Sequence, residues 1–344
     1  TRGGCSKIFP NSVRSMKKLG VPFLAAFCIF SVFSLSARAQ DHFHFSGLLF
    51  SDYSYTVQSP GETDNGDNGF GYRRVYLTAD YTISDNFSGR VRFEGADKAT
   101  NTEGKPAPFI KDMYLKWSNA LGAGHHISLG AQNPGKWILA EKTWGYRSLE
   151  RTVMDRAKIA SSRDMGILFS GLLTENGRTK YAFMVANNSG GKQETDKYKR
   201  IYGQLDFKAN EAFNVSVGGD YYAFDGGSSV TANAFVGYTQ DEYQVGVEGY
   251  FNPKTMDATD GEDTKMGASV FGFYTVKEGQ RLVVRYDMMN RDQVGAKSQN
   301  AWAIIGYAVS PAKGVEIIPN LIYDKNDFED EPMIKGRLTV SAKF

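Results

Sequence analysis

Residues 40–344 are expected to form an all-β fold, a transmembrane antiparallel β-barrel of about sixteen strands. Three observations predict it: period-two alternation in runs of about ten residues, connections that take turns being short and long, and an export-type leader ahead of the first run. Only helices and closed barrels satisfy every backbone N–H and C=O inside a bilayer. No run after residue 40 reaches the roughly 20 apolar residues of a membrane helix, so a membrane-spanning form must be a barrel.

The leader is read first. Met16-Lys17-Lys18 is a short basic region, Leu19 to Leu35 is apolar, and Ala37-Arg38-Ala39 places small residues where a signal peptidase reads them. Residues 1–39 are therefore expected to be an upstream extension followed by a secretory signal peptide, with translation starting at Met16 and cleavage after Ala39. Cys5 and Cys28 both fall in that segment, so the mature part would offer no disulfide, thiolate metal site or cysteine nucleophile. The segment also carries six basic residues and no acid, and its removal takes the formal net charge from +2 to −4. A nucleic-acid partner is excluded on that charge.

The strands follow from alternation. Val75, Leu77, Ala79, Tyr81 and Ile83 alternate with Arg74, Tyr76, Thr78 and Asp80, and Phe87, Gly89, Val91 and Phe93 with Arg90, Arg92 and Glu94. Val215, Val217, Gly219 and Tyr221 alternate with Asn214, Ser216 and Asp220, and Leu282, Val284, Tyr286 and Met288 with Arg281, Arg285 and Asp287. A soluble sandwich and a membrane barrel both show this period, with the apolar face turned to a core in one and to lipid in the other. Connection lengths separate them. Sixteen strands are expected near 42–57, 70–83, 87–97, 109–118, 125–132, 164–174, 179–188, 198–207, 213–224, 230–240, 242–252, 265–276, 281–291, 300–309, 315–326 and 334–344. Short turns such as 84–86 and the Asn176-Gly177 hairpin alternate with longer polar loops at 58–69, 98–108, 133–163, 189–197, 253–264, 292–299 and 327–333; only 225–229 is brief. Short turns on one rim and long loops on the other are the membrane-barrel arrangement, and an even strand count puts both ends on the short-turn, periplasmic rim.

In the final strand Leu338, Val340, Ala342 and Phe344 alternate with Arg337, Thr339, Ser341 and Lys343. A terminal aromatic on an alternating strand resembles the sorting signal of bacterial outer-membrane proteins. It implies Phe344 as an assembly signal read by the outer-membrane barrel assembly machinery.

Several motifs carry a closer resemblance: Gly69-Phe70-Gly71-Tyr72-Arg73-Arg74-Val75-Tyr76-Leu77, Asp112-Met113-Tyr114-Leu115-Lys116-Trp117, Leu129-Gly130-Ala131-Gln132-Asn133-Pro134, Leu149-Glu150-Arg151 and Arg163-Asp164-Met165-Gly166. In this order they resemble the phosphate-selective porin O and P family over roughly residues 40–175, although Ala131 interrupts the usual Gly-Gln pairing. The resemblance implies a sixteen-stranded outer-membrane porin, homotrimeric, that passes small hydrophilic or anionic solutes.

The 133–163 connection is too long to be a plain link in a compact barrel. It holds Trp137, Trp144 and Tyr146, and seven cations (Lys136, Lys142, Arg147, Arg151, Arg156, Lys158 and Arg163) against Glu141, Glu150 and Asp155. One reading folds it into the lumen as a constriction whose cations contact anions where the field is least screened. The other lays it over the rim or a subunit contact. On the wall, Arg74, Arg90, Arg92, Arg281, Arg285 and Arg337 share the lumen face with Asp80, Glu94, Asp112, Asp206, Asp220, Glu248, Asp287 and Glu316. A guanidinium series can lead anions through, or arginines and acids can pair and stiffen the wall.

Other function classes are less well supplied. A barrel hydrolase needs a histidine base near the outer rim or at the lipid face, but of the four histidines His42 and His44 begin the first strand and His125 and His126 follow a short turn, which puts all four near the periplasmic rim. No H-E-x-x-H, G-x-S-x-G or P-loop pattern occurs. Acidic loops such as 59–68 and 257–263 suit a surface receptor or adhesin as well as an ordinary rim. The expected function is passive diffusion across the outer membrane, in contact with its lipid, with neither enzyme chemistry, cofactor nor metal.

Overall fold

The computed structural model describes residues 42–97, 99–256, 261–293 and 296–344. The leader and its cleavage after Ala39 lie outside the described residues. Alternating apolar and polar side chains on a pleated chain build sixteen strands: β1 (Phe43–Gln58), β2 (Asn68–Thr82), β3 (Phe87–Ala96), β4 (Phe109–Trp117), β5 (His125–Gln132), β6 (Asp164–Leu172), β7 (Thr179–Ala186) and β8 (Arg200–Lys208), then β9 (Phe213–Phe224), β10 (Gly227–Thr239), β11 (Tyr243–Met256), β12 (Gly261–Lys277), β13 (Gln280–Gln293), β14 (Ala296–Ala312), β15 (Val315–Asn326) and β16 (Met333–Lys343). Each pairs with its chain neighbours, and β1 pairs antiparallel with β16, so the sheet closes as a barrel. Closure leaves no edge with unpaired backbone groups. At the seam the Gly47 N–H donates to the Phe344 carbonyl at 2.7 Å and the Phe344 N–H to that of Gly47 at 3.2 Å. The Phe344 ring lies over Gly47 where any Cβ would stand.

The outward face is apolar, as alternation requires: Leu77, Val247, Val270, Val284 and Leu338 are all exposed on it. No helix among the described residues is long and apolar enough to cross a membrane; a strand barrel is a separate case.

Two expectations are corrected. The described parts of 253–264 and 292–299 belong to strands and not to free outer loops. The ladder runs on through Pro253↔Thr264 to Met256↔Gly261, and through Asp292↔Lys297 to Gln293↔Ala296. Ladder hydrogen bonds come from the backbone, so polar side chains continue a strand once an antiparallel partner is in register. The 58–69 loop also has structure of its own, a 3-10 turn at Pro60–Glu62.

The second departure is inside. The lumen face of the later strands is apolar in part, with Phe235, Tyr250, Phe271, Val283, Trp302, Ile304, Ile318 and Ile322 buried in one cluster. An apolar inner wall needs a cover, and residues 133–163 supply it.

Candidate pore constriction

The segment between β5 and β6 lies inside the barrel, against the inner wall. Gly135 starts the inward turn with φ +92°, where a Cβ would collide with Ala182 of β7. A short helix follows, α1 (Ile138–Trp144), ended by Gly145 at φ +70°, whose N–H returns to the Glu141 carbonyl. A single turn, α2 (Val153–Arg156), comes later. Ala140, Thr143 and Trp144 of α1 are buried. Trp144 meets Phe271 edge-on at 5.3 Å, and Tyr146 meets Phe273 at 5.9 Å. Leu149 and Val153 are wholly buried in the same cluster. Burial of this apolar side holds the segment to the β10–β15 wall.

Polar bonds fix its position. Arg73 donates to the carbonyls of Ser148 and Leu149, Arg337 to that of Leu149 at 2.8 Å, and Arg285 to that of Arg151 at 2.5 Å. The Val153 N–H donates to Glu248 at 2.9 Å. The Lys136 ammonium pairs with Asp220, which also takes Arg200 at 2.6 Å. Burial and the Arg200 guanidinium push the Lys136 ammonium down from its usual range, and the Asp220 carboxylate opposes them. Arg156 bridges Asp287 at 3.2 Å and Asp324 at 3.5 Å while lying over the Trp302 ring at 4.5 Å. Arg163 pairs with Asp112.

The seven loop cations therefore divide. Lys136 and Arg156 do not face solutes: their side chains are 0% and 7% exposed and are spent on wall carboxylates. That corrects the expectation that they contact anions; a buried charge is stable only when paired, and the pair seals it. Lys142 is exposed and makes no ion pair among the described residues. Arg147 is held by Glu141 at 2.5 Å and Asp155 at 3.2 Å, and Arg151 by Glu150 at 3.5 Å. Lys158 is exposed, away from the cavity described below.

Most wall arginines are also paired: Arg74 with Glu94 at 2.9 Å, Arg90 with Asp80 at 2.6 Å, Arg92 with Asp112 at 3.2 Å, Arg285 with Asp287 at 2.7 Å and Arg337 with Asp52 at 3.8 Å. Arg281 instead stacks on Phe273 at 4.4 Å. A continuous row of unpaired guanidiniums is not what these side chains build.

Between the loop and the wall of β1–β3 and β15–β16 remains a cavity of about 610 Å³. Arg92, Lys142, Arg147, Arg163 and Lys343 line it, with Glu141 and Glu316 as its acids. Burial under the loop, then the neighbouring Asp155, push the Glu141 carboxyl up to about 7, against the nearby Arg163 and Arg74. Reading the sequence missed Arg73, Lys111 and Arg200 as lumen cations. Strict alternation turns Arg73 and Arg74 to opposite faces, yet Arg73 reaches Asp52 and the loop carbonyls while Arg74 reaches Glu94. Lys111 pairs with Glu94 beside a register shift in the β3–β4 ladder. Of the histidines, His125 Nδ1 lies 3.1 Å from the Tyr181 hydroxyl and His126 Nδ1 accepts the Asn119 N–H at 3.3 Å.

No protein-family model matches the chain, and no curated protein sequence does. Solved structures do match. The outer-membrane-expressed OmpT of Vibrio cholerae aligns with a TM-score of 0.64 at 14% identity, over 88% of this chain and 97% of that one. The anion-selective porin from Comamonas acidovorans aligns at 0.65 and 13% identity, over 88% and 99%. The outer-membrane channel DcaP of Acinetobacter baumannii aligns at 0.62 and 11% identity, over 88% and 96%. The chain thus has the sixteen-strand barrel fold of outer-membrane porins.

Proposed function

We propose that the protein is an outer-membrane porin giving passive diffusion of small hydrophilic solutes, with a bias toward anions and without bond chemistry. The observation that carries this is the 133–163 segment packed inside the barrel beside a cavity lined by five cations and two acids. Charge at a narrow, weakly screened passage acts on every ion that crosses it. The porin fold and the anion-selective porin from Comamonas acidovorans among its structural matches support the same reading. The pairing of most lumen arginines argues for a modest bias carried by Lys142, Lys343 and the part-exposed Arg147 and Arg163, in place of a phosphate-specific ladder. A homotrimer, the leader cleaved after Ala39, and Phe344 as the signal to the assembly machinery belong to the same proposal; one of the Vibrio cholerae OmpT structures is a trimer form.

The test is single-channel recording of the refolded mature barrel under a salt gradient. Discrete steps with a reversal potential on the anion side are expected, and Lys142→Glu with Lys343→Glu should move it toward cations. A heat-resistant folded barrel that never conducts would overturn the pore, and a cation-side potential would overturn the bias.

A further inference from the structure

The cavity beside the loop is lined by both charged and apolar groups. Lys142, Arg92 and Arg163 are basic, and Glu141 and Glu316 are its acids. Its apolar lining includes Leu48 and Phe50 from β1, and Trp137 and Ile138 from the loop. Ile138 is the unusual member. Trp137, Trp144, Tyr146, Leu149, Val153, Met154 and Ile159 of the loop are all buried against the wall, while Ile138 is 49% exposed and lines the open space. Packing does not account for an isoleucine turned into a passage, since the loop already has its apolar anchor on the opposite side of α1. Ile138 and Lys142 stand one turn apart on α1 and so share a face, within reach of a single small molecule. Gly145, also on the cavity, keeps that face open beyond Lys142.

Resting on the porin reading above, we propose that this cavity is a binding site for small organic anions with an apolar body, monocarboxylates bearing a branched or aromatic group. The carboxylate lies on Lys142 and the part-exposed guanidiniums of Arg92 and Arg163. The apolar body lies against Ile138, with Leu48 and Phe50 closing the far side. Inorganic oxyanions meet only the basic groups, so Ile138 is the residue that separates the two classes of solute. Contact over one face of a ring buries the equivalent of about two methylenes, which corresponds to about tenfold tighter binding than for an anion without it.

The experiment is interruption of single-channel current by benzoate, acetate and inorganic phosphate, each added to the refolded barrel in potassium chloride at one pH. Benzoate is expected to block at about tenfold lower concentration than acetate or phosphate. Ile138→Asn should bring benzoate to the acetate value and Ile138→Leu should keep the difference. Lys142→Gln should weaken benzoate and acetate by the same factor. Equal block by benzoate and acetate in the natural protein would overturn the proposal, as would a benzoate preference that survives in Ile138→Asn. In both cases the channel still conducts, so the porin reading stands; a natural barrel that shows no steps removes both.

Discussion

Asp220 carries two cations at once, Lys136 from the loop and Arg200 from β8, and its own side chain is fully buried with theirs nearly so. Removing one member of such a cluster leaves charge in a place that water does not reach, at about 3–5 kcal/mol. Asp220→Ala is therefore expected to destabilise the barrel by that amount, read as a lower midpoint in denaturant unfolding from detergent or lipid. Lys142→Gln, which breaks no ion pair among the described residues, should stay within about 0.5 kcal/mol of the natural protein. The contrast shows why composition alone misassigns loop cations. The acid that seals Lys136 lies 84 positions further along the chain and the one that holds Arg163 lies 51 positions before it. Spacing along a chain does not encode such partners; only the closed barrel brings them together.

At the scale of elements, the loop is a lid whose inner side is a hydrophobic core. Trp144 is 1% exposed and fits between Tyr146 and Phe271, with the Arg285 guanidinium 5.2 Å above its ring. Trp144→Ala is expected to cost about 3–5 kcal/mol and to free the loop, so single-channel conductance should rise and fluctuate more. Unchanged conductance with lowered stability would show that the loop stays seated without its anchor. The strands themselves were legible, all sixteen of them, because alternation on a sheet with one face outward and one face to the lumen is a strong signal. The upper reaches of β11 to β14 were not, since their polar residues read as loop while the backbone ladder simply continued. The inner apolar wall left a trace in the sequence as well. Val283 stands between Arg281 and Arg285, Ile304 and Ile305 are adjacent, and so are Ile317 and Ile318, so both faces of those strands are apolar. A strand apolar on both faces in a barrel has something to cover on the inside, and the aromatic-rich 133–163 segment was the one long enough to do it.

For the molecule as a whole, the field in the passage depends on the balance of the charges that line it, and one of them titrates in an accessible range. Glu141 faces Arg147, Asp155, Arg163, Arg74 and Lys111, and its carboxyl is pushed up to about 7. Below that pH it binds a proton and loses its negative charge, which makes the lining more positive. Anion preference should therefore rise as pH falls from 8 to 6, read from reversal potentials in a fixed salt gradient. Glu141→Gln should hold the high-anion value throughout, and a flat profile in the natural protein would show that this carboxyl does not set the field.

The seam between β1 and β16 has a consequence for how the barrel is made. Every other ladder joins strands that follow one another in the chain, whereas Leu48 pairs with Lys343 across about 295 residues. Closing a chain loop of that length costs about 3 kcal/mol more entropy than closing a hairpin of about ten residues. Hairpins can zip one after another at little cost, so the sheet grows as an open ribbon and circularisation is its last and slowest event. Until then both outer strands offer unpaired backbone, and a lipid surface or a helper that shields those two edges acts on folding speed with no effect on the finished barrel.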